Sequence, residues 1–275
     1  MSAPTPPTGS GRLRGKVAIV TGGSSSIGRA ISLAYAKEGA KVVVADIRDS
    51  SRAPDEADAP THELIRKQGG EAEFMKLDVT KLENVEQVVR DTVAKFGRLD
   101  IYVNNAGIVH DDGNPQPVWG VTMDQWEKTM AVNTTGVFYG IRTATAQMVK
   151  QDPYPNGDRG WVVNLASIFG KVAFPTAFSY VASKHCVMGM TKTAALDCAP
   201  YGVHVNAICP GWVESAFTAG ILQDENLKAH ATSLHPLRGL GSPSDIAPVA
   251  VFLASEDARW VTGHGVVVDG GYTAQ

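Results

Sequence analysis

The chain has 275 residues, of which 44% are hydrophobic and 19% charged, which is enough apolar material for one α/β domain with a large core. Its formal net charge of −3 provides no basic field for nucleic acid or for an anionic membrane surface. No window reaches the roughly 18 uninterrupted apolar residues of a membrane span. The composition therefore predicts a protein without a nucleic-acid or membrane partner.

The first twelve residues are rich in Pro, Ser, Thr and Gly and lack the apolar core of a signal peptide. We expect residues 1–12 to form a disordered tail and residues 13–275 to form one domain. The three cysteines, Cys186, Cys198 and Cys209, contain no C-x-x-C pair, a usage that suits a reducing compartment. These features predict a cytoplasmic protein with buried, inert thiols.

Short β-branched runs alternate with longer stretches of helical periodicity along the chain. The predicted strands are, in order, KVAIVT, KVVVAD, AEFMKLD, LDIYVNN, GWVVNLAS, VHVNAIC and GVVVDGG. Near-continuous apolar strands separated by helices are typical of a parallel sheet that is covered on both faces. We therefore predict an α/β, doubly wound sheet of the Rossmann type with about seven strands.

Three segments interrupt this alternation. RDSSRAPDEADAPT and QDPYPNGDRG are rich in turn residues and predict surface loops. The third segment covers about residues 212–238 and follows the carboxyl end of a strand. Open α/β sheets bind ligands at that edge, so this insertion is a candidate lid over a site.

The stretch TGGSSSIG, Thr21 to Gly28, joins the first strand to an amphipathic helix. Such a turn places backbone N–H groups and a helix N-terminus against a pyrophosphate. Its glycines do not fit the spacing G-x-G-x-x-G, and Ser26 stands where a glycine would be expected. The loop alone is a weak indication of a dinucleotide site, and a Gly/Ser turn before a helix is the alternative.

Asp46 ends the second predicted strand. A carboxylate there accepts hydrogen bonds from an adenosine ribose and repels a 2′-phosphate, which favours NAD over NADP. Arg48 is an alternative partner for a 2′-phosphate, although an arginine in a charged loop is more often solvated. Asp78 ends the third strand and is either a second polar group on this edge or a loop cap.

Four further residues have the chemistry of a catalytic site. Tyr180 and Lys184 lie four residues apart on a predicted helix and share a face, although such a pair is more often a surface pair. Ser167 lies at the carboxyl end of a predicted strand. Asn133 lies inside a long predicted helix, where asparagine is a poor helix former and needs a reason to be present.

Taken in order, these motifs resemble the short-chain dehydrogenase/reductase family in its common single-domain form. The resemblance runs from Leu13 to Tyr272. Its motifs are TGGSSSIG, Asp46, D-V at Asp78 and Val79, N-N-A-G at Asn104 to Gly107, N-x-x-G at Asn133 to Gly136, Ser167, Y-x-x-x-K at Tyr180 and Lys184, P-G at Pro210 and Gly211, and V-D-G-G at Val268 to Gly271.

The resemblance implies an oxidoreductase that moves hydride between a secondary alcohol and nicotinamide. Tyr180 is then the acid/base, and the charge of Lys184 favours its phenolate while Lys184 binds the nicotinamide ribose. Ser167 orients the substrate oxygen, and Asn133 holds a water that links Lys184 to solvent.

The resemblance also implies a cofactor site and its residues. Ser215 replaces the family's threonine but keeps the hydroxyl, and Ser26 must either avoid the cofactor or bond to it. The expected cofactor-binding residues are Gly22, Ser24, Ser26, Ile27, Gly28, Asp46, Asp78, Val79, Asn105, Ala106, Gly107, Tyr180, Lys184, Pro210, Gly211, Val213 and Ser215. NAD is the expected cofactor, with NADP less favoured.

The loops that form the substrate wall in this family are apolar and aromatic here. The candidates for the pocket are His110, Phe169, Phe174, Trp212 and Phe217. This wall suits a bulky or cyclic secondary alcohol or ketone, although each residue could instead pack in the core or an interface. The histidines show no spacing typical of a metal site, so no metal is predicted.

Two alternatives to an NAD-dependent alcohol dehydrogenase remain open. One is an NADP-dependent ketoreductase of a biosynthetic pathway, and the other is a non-redox dinucleotide sensor or scaffold. The resemblance further implies a homo-oligomer, most often a tetramer, formed through the long helices around Asn133 and Tyr180 and through the last strand.

Overall fold

The structure is a computed structural model that describes residues 9–53, 56, 59–109 and 115–275. Within these residues, seven parallel strands form one sheet in the order β3-β2-β1-β4-β5-β6-β7. They are β1 Val17–Thr21, β2 Lys41–Asp46, β3 Glu71–Lys76, β4 Ile101–Asn104, β5 Gly160–Leu165, β6 Val203–Pro210 and β7 Gly265–Val268. The prediction of a doubly wound parallel sheet is confirmed.

Helices pack on both faces of this sheet. They are α1 Ser26–Lys37, α2 Thr61–Lys67, α3 Leu82–Phe96, α4 Met123–Met130, α5 Gly136–Met148, α6 Phe178–Cys198, α7 Glu225–Ser233 and α8 Pro243–Leu253. Among the helices of the described residues, none combines the length and apolar character that crossing a membrane requires.

Successive residues of β1 face opposite hydrophobic layers, because side chains alternate along a strand. Ala18 and Val20 pack in one cluster with Ile31 of α1 and Val251 of α8. Ile19 packs in the other cluster, which α3, α5 and α6 cover. All five side chains are buried. The faces of the sheet are therefore covered by two apolar layers, and a ligand can reach the sheet at the ends of its strands.

Hydrogen bonds to the rest of the domain begin at Gly9, before residue 13, where the domain was predicted to start. Residues 9–12 were assigned to the tail, but the N–H of Gly9 donates to the carbonyl of Lys37 at 3.1 Å. Ser10 and Arg12 both donate to the carboxylate of Glu38, at 2.8 and 3.0 Å. Burial raises the pKa of Glu38, but the hydrogen bonds from Arg12 and Ser10 outweigh it and hold the pKa at about 2. This long-range pairing is invisible in the composition of the segment.

A chain of buried amides connects two strands to the helix α6. The amide of Asn104 donates to Asn164 at 2.8 Å, and the amide of Asn164 donates to the hydroxyl of Thr191 at 2.9 Å. All three side chains are buried, and buried polar groups without partners are destabilising. The chain therefore fixes how α6 sits against the ends of β4 and β5.

Replacing Asn164 tests this connection. We expect Asn164→Leu to lower the free energy of unfolding by about 1–3 kcal/mol, because the amide of Asn104 loses its acceptor while still buried. Urea unfolding of the wild type and the variant measures the change.

Asn226 is an exposed helical asparagine and serves as the matched control. We expect Asn226→Leu to change the free energy of unfolding by less than about 0.5 kcal/mol. An equal loss in both variants would contradict a specific role for the buried chain.

Candidate active site

A cavity of about 840 Å³ opens at the carboxyl ends of the central strands, where the strand order reverses between β1 and β4 and ligands bind in open α/β sheets. Every expected cofactor residue except Ser24 lies on its wall, together with Ser167 and four of the five expected pocket residues. The wall includes Gly22, Ser26, Ile27, Gly28, Asp46, Asp78, Val79, Asn105, Ala106, Gly107, Ser167, Phe169, Phe174, Tyr180, Lys184, Pro210, Gly211, Trp212, Val213, Ser215 and Phe217. The remaining pocket candidate, His110, lies outside the described residues.

The glycine-rich loop is held closely against the loop after β4. The amide of Asn105 donates to the carbonyls of Thr21 and Gly22 at 2.9 and 3.2 Å. A Cβ on Gly28 would lie 2.1 Å from the Gly22 carbonyl oxygen and 2.5 Å from the Asn105 amide nitrogen. No side chain fits there, so glycine at position 28 is required for the turn.

Ser24 is the one expected cofactor residue that does not lie on the cavity wall. Its side chain is fully buried and donates to the carbonyl of Arg48 at 2.8 Å. Its backbone N–H donates to the carboxylate of Asp46 at 3.2 Å, and the N–H of Ile47 donates to the other carboxylate oxygen at 2.8 Å. The turn directs the hydroxyl of Ser24 into the protein, and the backbone N–H of Ser24 orients the carboxylate of Asp46.

Ser26 connects three separate segments. Its φ of +50° lies in the left-handed region that favours glycine. Its hydroxyl accepts a hydrogen bond from the N–H of Ala216 at 3.0 Å, and its N–H donates to the carboxylate of Glu56 at 3.0 and 3.2 Å. The side chain that a glycine would lack thus ties the glycine-rich loop to the insertion after β6.

Part of that insertion lines the cavity, between Trp212 and Leu227. Val213 forms a parallel bridge with Gly241, and Asp224 caps α7 by accepting from two backbone N–H groups. Lys228 of α7 pairs with Glu214 at 3.0 Å. Residues 212–238 are called the cover below, and their early part contacts the glycine-rich loop.

Ser167, Tyr180 and Lys184 converge at one end of the cavity. Ser167 is the second residue after β5, while Tyr180 and Lys184 share a face of α6. The ammonium of Lys184 lies 5.4 Å from the centre of the Tyr180 ring and donates to the carbonyl of Leu165 at 2.8 Å. The hydroxyl of Ser167 caps the short turn that follows by accepting from the N–H of Phe169 at 3.1 Å.

Burial shifts the pKa values of Tyr180 and Lys184. It raises the pKa of Tyr180 to about 12, against a smaller lowering by the hydrogen bond with Ser167. Burial also lowers the pKa of Lys184 to about 8. Desolvation thus penalises both charged forms, the phenolate of Tyr180 and the ammonium of Lys184.

Asn133 lies in a π-helical segment, residues 131–135, which joins α4 to α5 in one continuous helix. Its side chain is fully buried. The amide donates to the carbonyl of Ile108 at 2.8 Å, and its oxygen accepts from the N–H of Ile108 at 2.9 Å. The π-helical turn explains an asparagine inside a helix. Asn133 thus supports the loop after β4 from behind and is not on the cavity wall.

Phe169 is the centre of an aromatic cluster at the same end of the cavity. Its ring centroid lies 5.4 Å from Phe174, 6.3 Å from Trp212 and 6.4 Å from Tyr180. Tyr272, whose ring centroid lies 6.3 Å from that of Phe169, was not predicted as a pocket residue. Its position directly after V-D-G-G was the one feature of the sequence that could have indicated this contact.

His235 is a second residue that sequence reasoning missed. Its ring is buried, with Nδ1 2.6 Å from the carbonyl of Ala231 and Nε2 accepting from the N–H of Trp212 at 3.1 Å. It therefore joins α7 to the strand end that carries Trp212. Nothing in its sequence spacing indicates this contact.

No three His, Cys, Asp or Glu side chains lie together as metal ligands anywhere in the described part of the chain.

Comparisons with known proteins agree with this architecture. The family model described as enoyl-(acyl carrier protein) reductase matches residues 22–273. The 2,5-dichloro-2,5-cyclohexadiene-1,4-diol dehydrogenase LinX of Sphingobium indicum is 38% identical over 264 residues, which are 95% of this chain and 98% of LinX.

Solved structures are similar over nearly the whole chain. A protein of Sinorhizobium meliloti, provisionally named a short-chain alcohol dehydrogenase, has a TM-score of 0.85 and 36% identity, covering 96% of this chain and 99% of the other. A protein of Agrobacterium tumefaciens, provisionally named a 2-deoxy-d-gluconate 3-dehydrogenase and solved with bound NADP, has a TM-score of 0.83 and 33% identity, covering 96% and 99%.

Substituting Ser26 tests its connection to the cover. We expect Ser26→Ala and Ser26→Gly both to speed amide hydrogen exchange at Ala216, because each removes a hydrogen bond worth about 0.5–1.5 kcal/mol. Glycine also relieves the positive φ, so Ser26→Gly should unfold with a free energy about 1 kcal/mol higher than Ser26→Ala.

Ser50 is exposed in the neighbouring loop, and Ser50→Ala serves as the control. If exchange at Ala216 is the same in the wild type and in both Ser26 variants, the connection has no role in holding the cover.

Proposed function

The chain belongs to the short-chain dehydrogenase/reductase family, and we propose that it uses NAD to interconvert a bulky or cyclic, apolar secondary alcohol and its ketone. One observation carries the proposal: Ser167, Tyr180 and Lys184 converge at the aromatic end of a cavity that begins at a glycine-rich loop. The relatives are dehydrogenases and oxidoreductases, and this chain is an oxidoreductase of their type.

The residues present fit a dinucleotide. The glycine-rich loop and the N-terminus of α1 lie on the cavity wall at Gly22 and at Ser26 to Gly28, and helix N-termini favour phosphate groups. Ala106 and Gly107 add small residues to the wall opposite. Nicotinamide, when bound, supplies the hydride acceptor or donor.

Asp46 supports NAD as the cofactor. Its carboxylate is fixed by the N–H groups of Ser24 and Ile47 at the end of β2, where it would repel a 2′-phosphate. Arg48 is not on the cavity wall, whereas Arg52 is. Arg52 is thus the side chain that would favour NADP, the cofactor bound to the Agrobacterium protein.

In the proposed reaction, Tyr180 exchanges a proton with the substrate oxygen. In ketone reduction its phenol donates the proton, and in alcohol oxidation its phenolate accepts it. Ser167 would hold the same oxygen by a hydrogen bond. Lys184 would bind the nicotinamide ribose and, while protonated, favour the phenolate.

The wall supports an apolar substrate without an anionic group. Among the described wall residues, Arg52 and Lys184 are the cations, and neither belongs to the aromatic cluster. Asp224 adds a carboxylate near the cover. Beside these rings, Lys184 is the one cation among the described wall residues, and its ammonium already donates to the carbonyl of Leu165. A cyclic substrate such as that named for LinX would pack against the rings.

We also propose a homo-oligomer, on the basis of exposed apolar side chains along the helices α4, α5 and α6. Met123, Phe138 and Phe178 are 66%, 49% and 46% exposed. Neighbouring large apolar side chains of this kind mark protein–protein contacts. A tetramer buries them through these helices.

Cofactor choice and activity test the proposal together. We expect NADH to bind more tightly than NADPH, and NAD-linked oxidation of cyclic secondary alcohols to exceed that of gluconate. Asp46→Ala should shift the ratio of the two Kd values toward NADPH by at least about tenfold, and Asp49→Ala, an exposed acid of the same loop, should leave it unchanged.

The alternatives give different results. Tighter binding of NADPH by the wild type would support the NADP-dependent ketoreductase. Tight NADH binding without turnover of any alcohol or ketone would support a sensor or scaffold.

The raised pKa of Tyr180, about 12, predicts different pH profiles for oxidation and reduction. As pH rises from about 7 to 10, the phenolate fraction grows about tenfold per unit while the phenol remains the major form. We therefore expect kcat/KM for oxidation to rise with pH until the phenolate dominates, and that for reduction to stay nearly level below that point. Initial rates in both directions measure this, and a level oxidation profile would contradict the assignment of Tyr180 as the base.

A further inference from the structure

Between β2 and α2, the described residues Arg48, Arg52, Glu56 and Ala59 contact the glycine-rich loop and the start of α1. At the start of this loop, the hydroxyl of Ser24 donates to the carbonyl of Arg48 at 2.8 Å, and the N–H of Arg52 donates to the hydroxyl of Ser25 at 2.9 Å. At its end, the guanidinium of Arg29 donates to the carbonyl of Ala59 at 2.8 Å. Both ends of the loop are thus fixed to the beginning of α1.

Between these two ends, Glu56 places its carboxylate at the first residue of α1. The N–H of Ser26 donates to both carboxylate oxygens, at 3.2 and 3.0 Å, and the hydroxyl of Ser51 donates to one of them. Backbone N–H groups in the first turn of a helix have no partner within the helix, and the helix dipole favours an anion there. The carboxylate of Glu56 accepts from one of these N–H groups and places a negative charge at the helix N-terminus.

The same helix end is where the proposed function places the cofactor pyrophosphate. We propose that Glu56 is an internal anion that competes with the cofactor pyrophosphate for the N-terminus of α1 and thereby lowers cofactor affinity. This inference rests on the proposed function. The N–H of Ser26 is a single donor, which the Glu56 carboxylate already occupies. Two anions at one helix end also repel each other. The carboxylate must therefore move away when the phosphates bind.

The Glu56 carboxylate competes with the negatively charged phosphates, and neither the adenine nor the substrate takes part in this competition. It therefore acts on every ligand that brings a phosphate to this helix end, including ADP-ribose, which has no nicotinamide. Adenosine lacks phosphate, and Glu56 should not affect its binding. This difference separates competition at the phosphates from a contact between Glu56 and the adenosine ribose.

The test compares ligand binding in Glu56→Gln and Glu56→Ala by calorimetric titration. Gln keeps an oxygen that accepts from Ser26 but removes the charge, and Ala removes the contact entirely. We expect Glu56→Gln to bind ADP-ribose about two- to fivefold more tightly than the wild type, and Glu56→Ala at least as tightly as Glu56→Gln. Adenosine affinity should be the same in all three proteins. Glu63→Gln, an exposed acid in the first turn of α2, should leave both affinities unchanged.

Two results would overturn the inference alone. Unchanged ADP-ribose affinity would show that the loop yields without competition, and weaker affinity for both ADP-ribose and adenosine would make Glu56 a ribose ligand. A wild type that binds neither NADH nor ADP-ribose would overturn the proposed function and this inference with it.

Discussion

The parallel register of β1, β4 and β5 is the constraint on which the site depends. Val20 pairs with Val103, and Val103 pairs with Val163, so the three strands end at one edge of the sheet. Residues from distant parts of the sequence meet there because each strand stops at the same level. The hydrogen bond between the buried amides of Asn104 and Asn164 stabilises this register, and the bond from Asn164 to Thr191 connects it to α6. A shift of one strand would separate the reacting groups.

Burial then determines the chemistry that these groups can perform. Lys184 is buried and Tyr180 is half-buried, and desolvation moves their pKa values toward each other, to about 12 for Tyr180 and about 8 for Lys184. Each side chain is therefore held closer to its neutral form than in water. The same enclosure makes every charge that enters the site act strongly, since the dielectric constant is low. A cation beside the phenol would favour proton transfer to solvent, and the aromatic cluster around Phe169 would exclude competing water.

The sequence predicted the elements well because hydrophobic periodicity is local, and each strand and helix shows its own period. Tyr180, Lys184 and Ser167 lie together on the cavity wall, as strand ends and helix faces read from the spacing would place them. The buried hydroxyl of Ser24 and the hydrogen bonds of residues 9–12 were not predicted, for one reason. Both depend on hydrogen bonds between residues far apart in the chain, to Arg48 and to Glu38, and no local pattern records such partners. His235 and Glu56 were missed on the same ground.

The central claim is that Tyr180 exchanges the proton while the rest of the cavity binds the cofactor. The most direct measurement is the single-turnover rate of oxidation of a cyclic secondary alcohol with NAD by the wild type and by Tyr180→Phe, with the Kd for NADH measured on both proteins. The account predicts that Tyr180→Phe loses at least about a hundredfold in rate while its NADH affinity changes by less than about threefold. A variant that binds NADH normally and oxidises the alcohol at the rate of the wild type would contradict it.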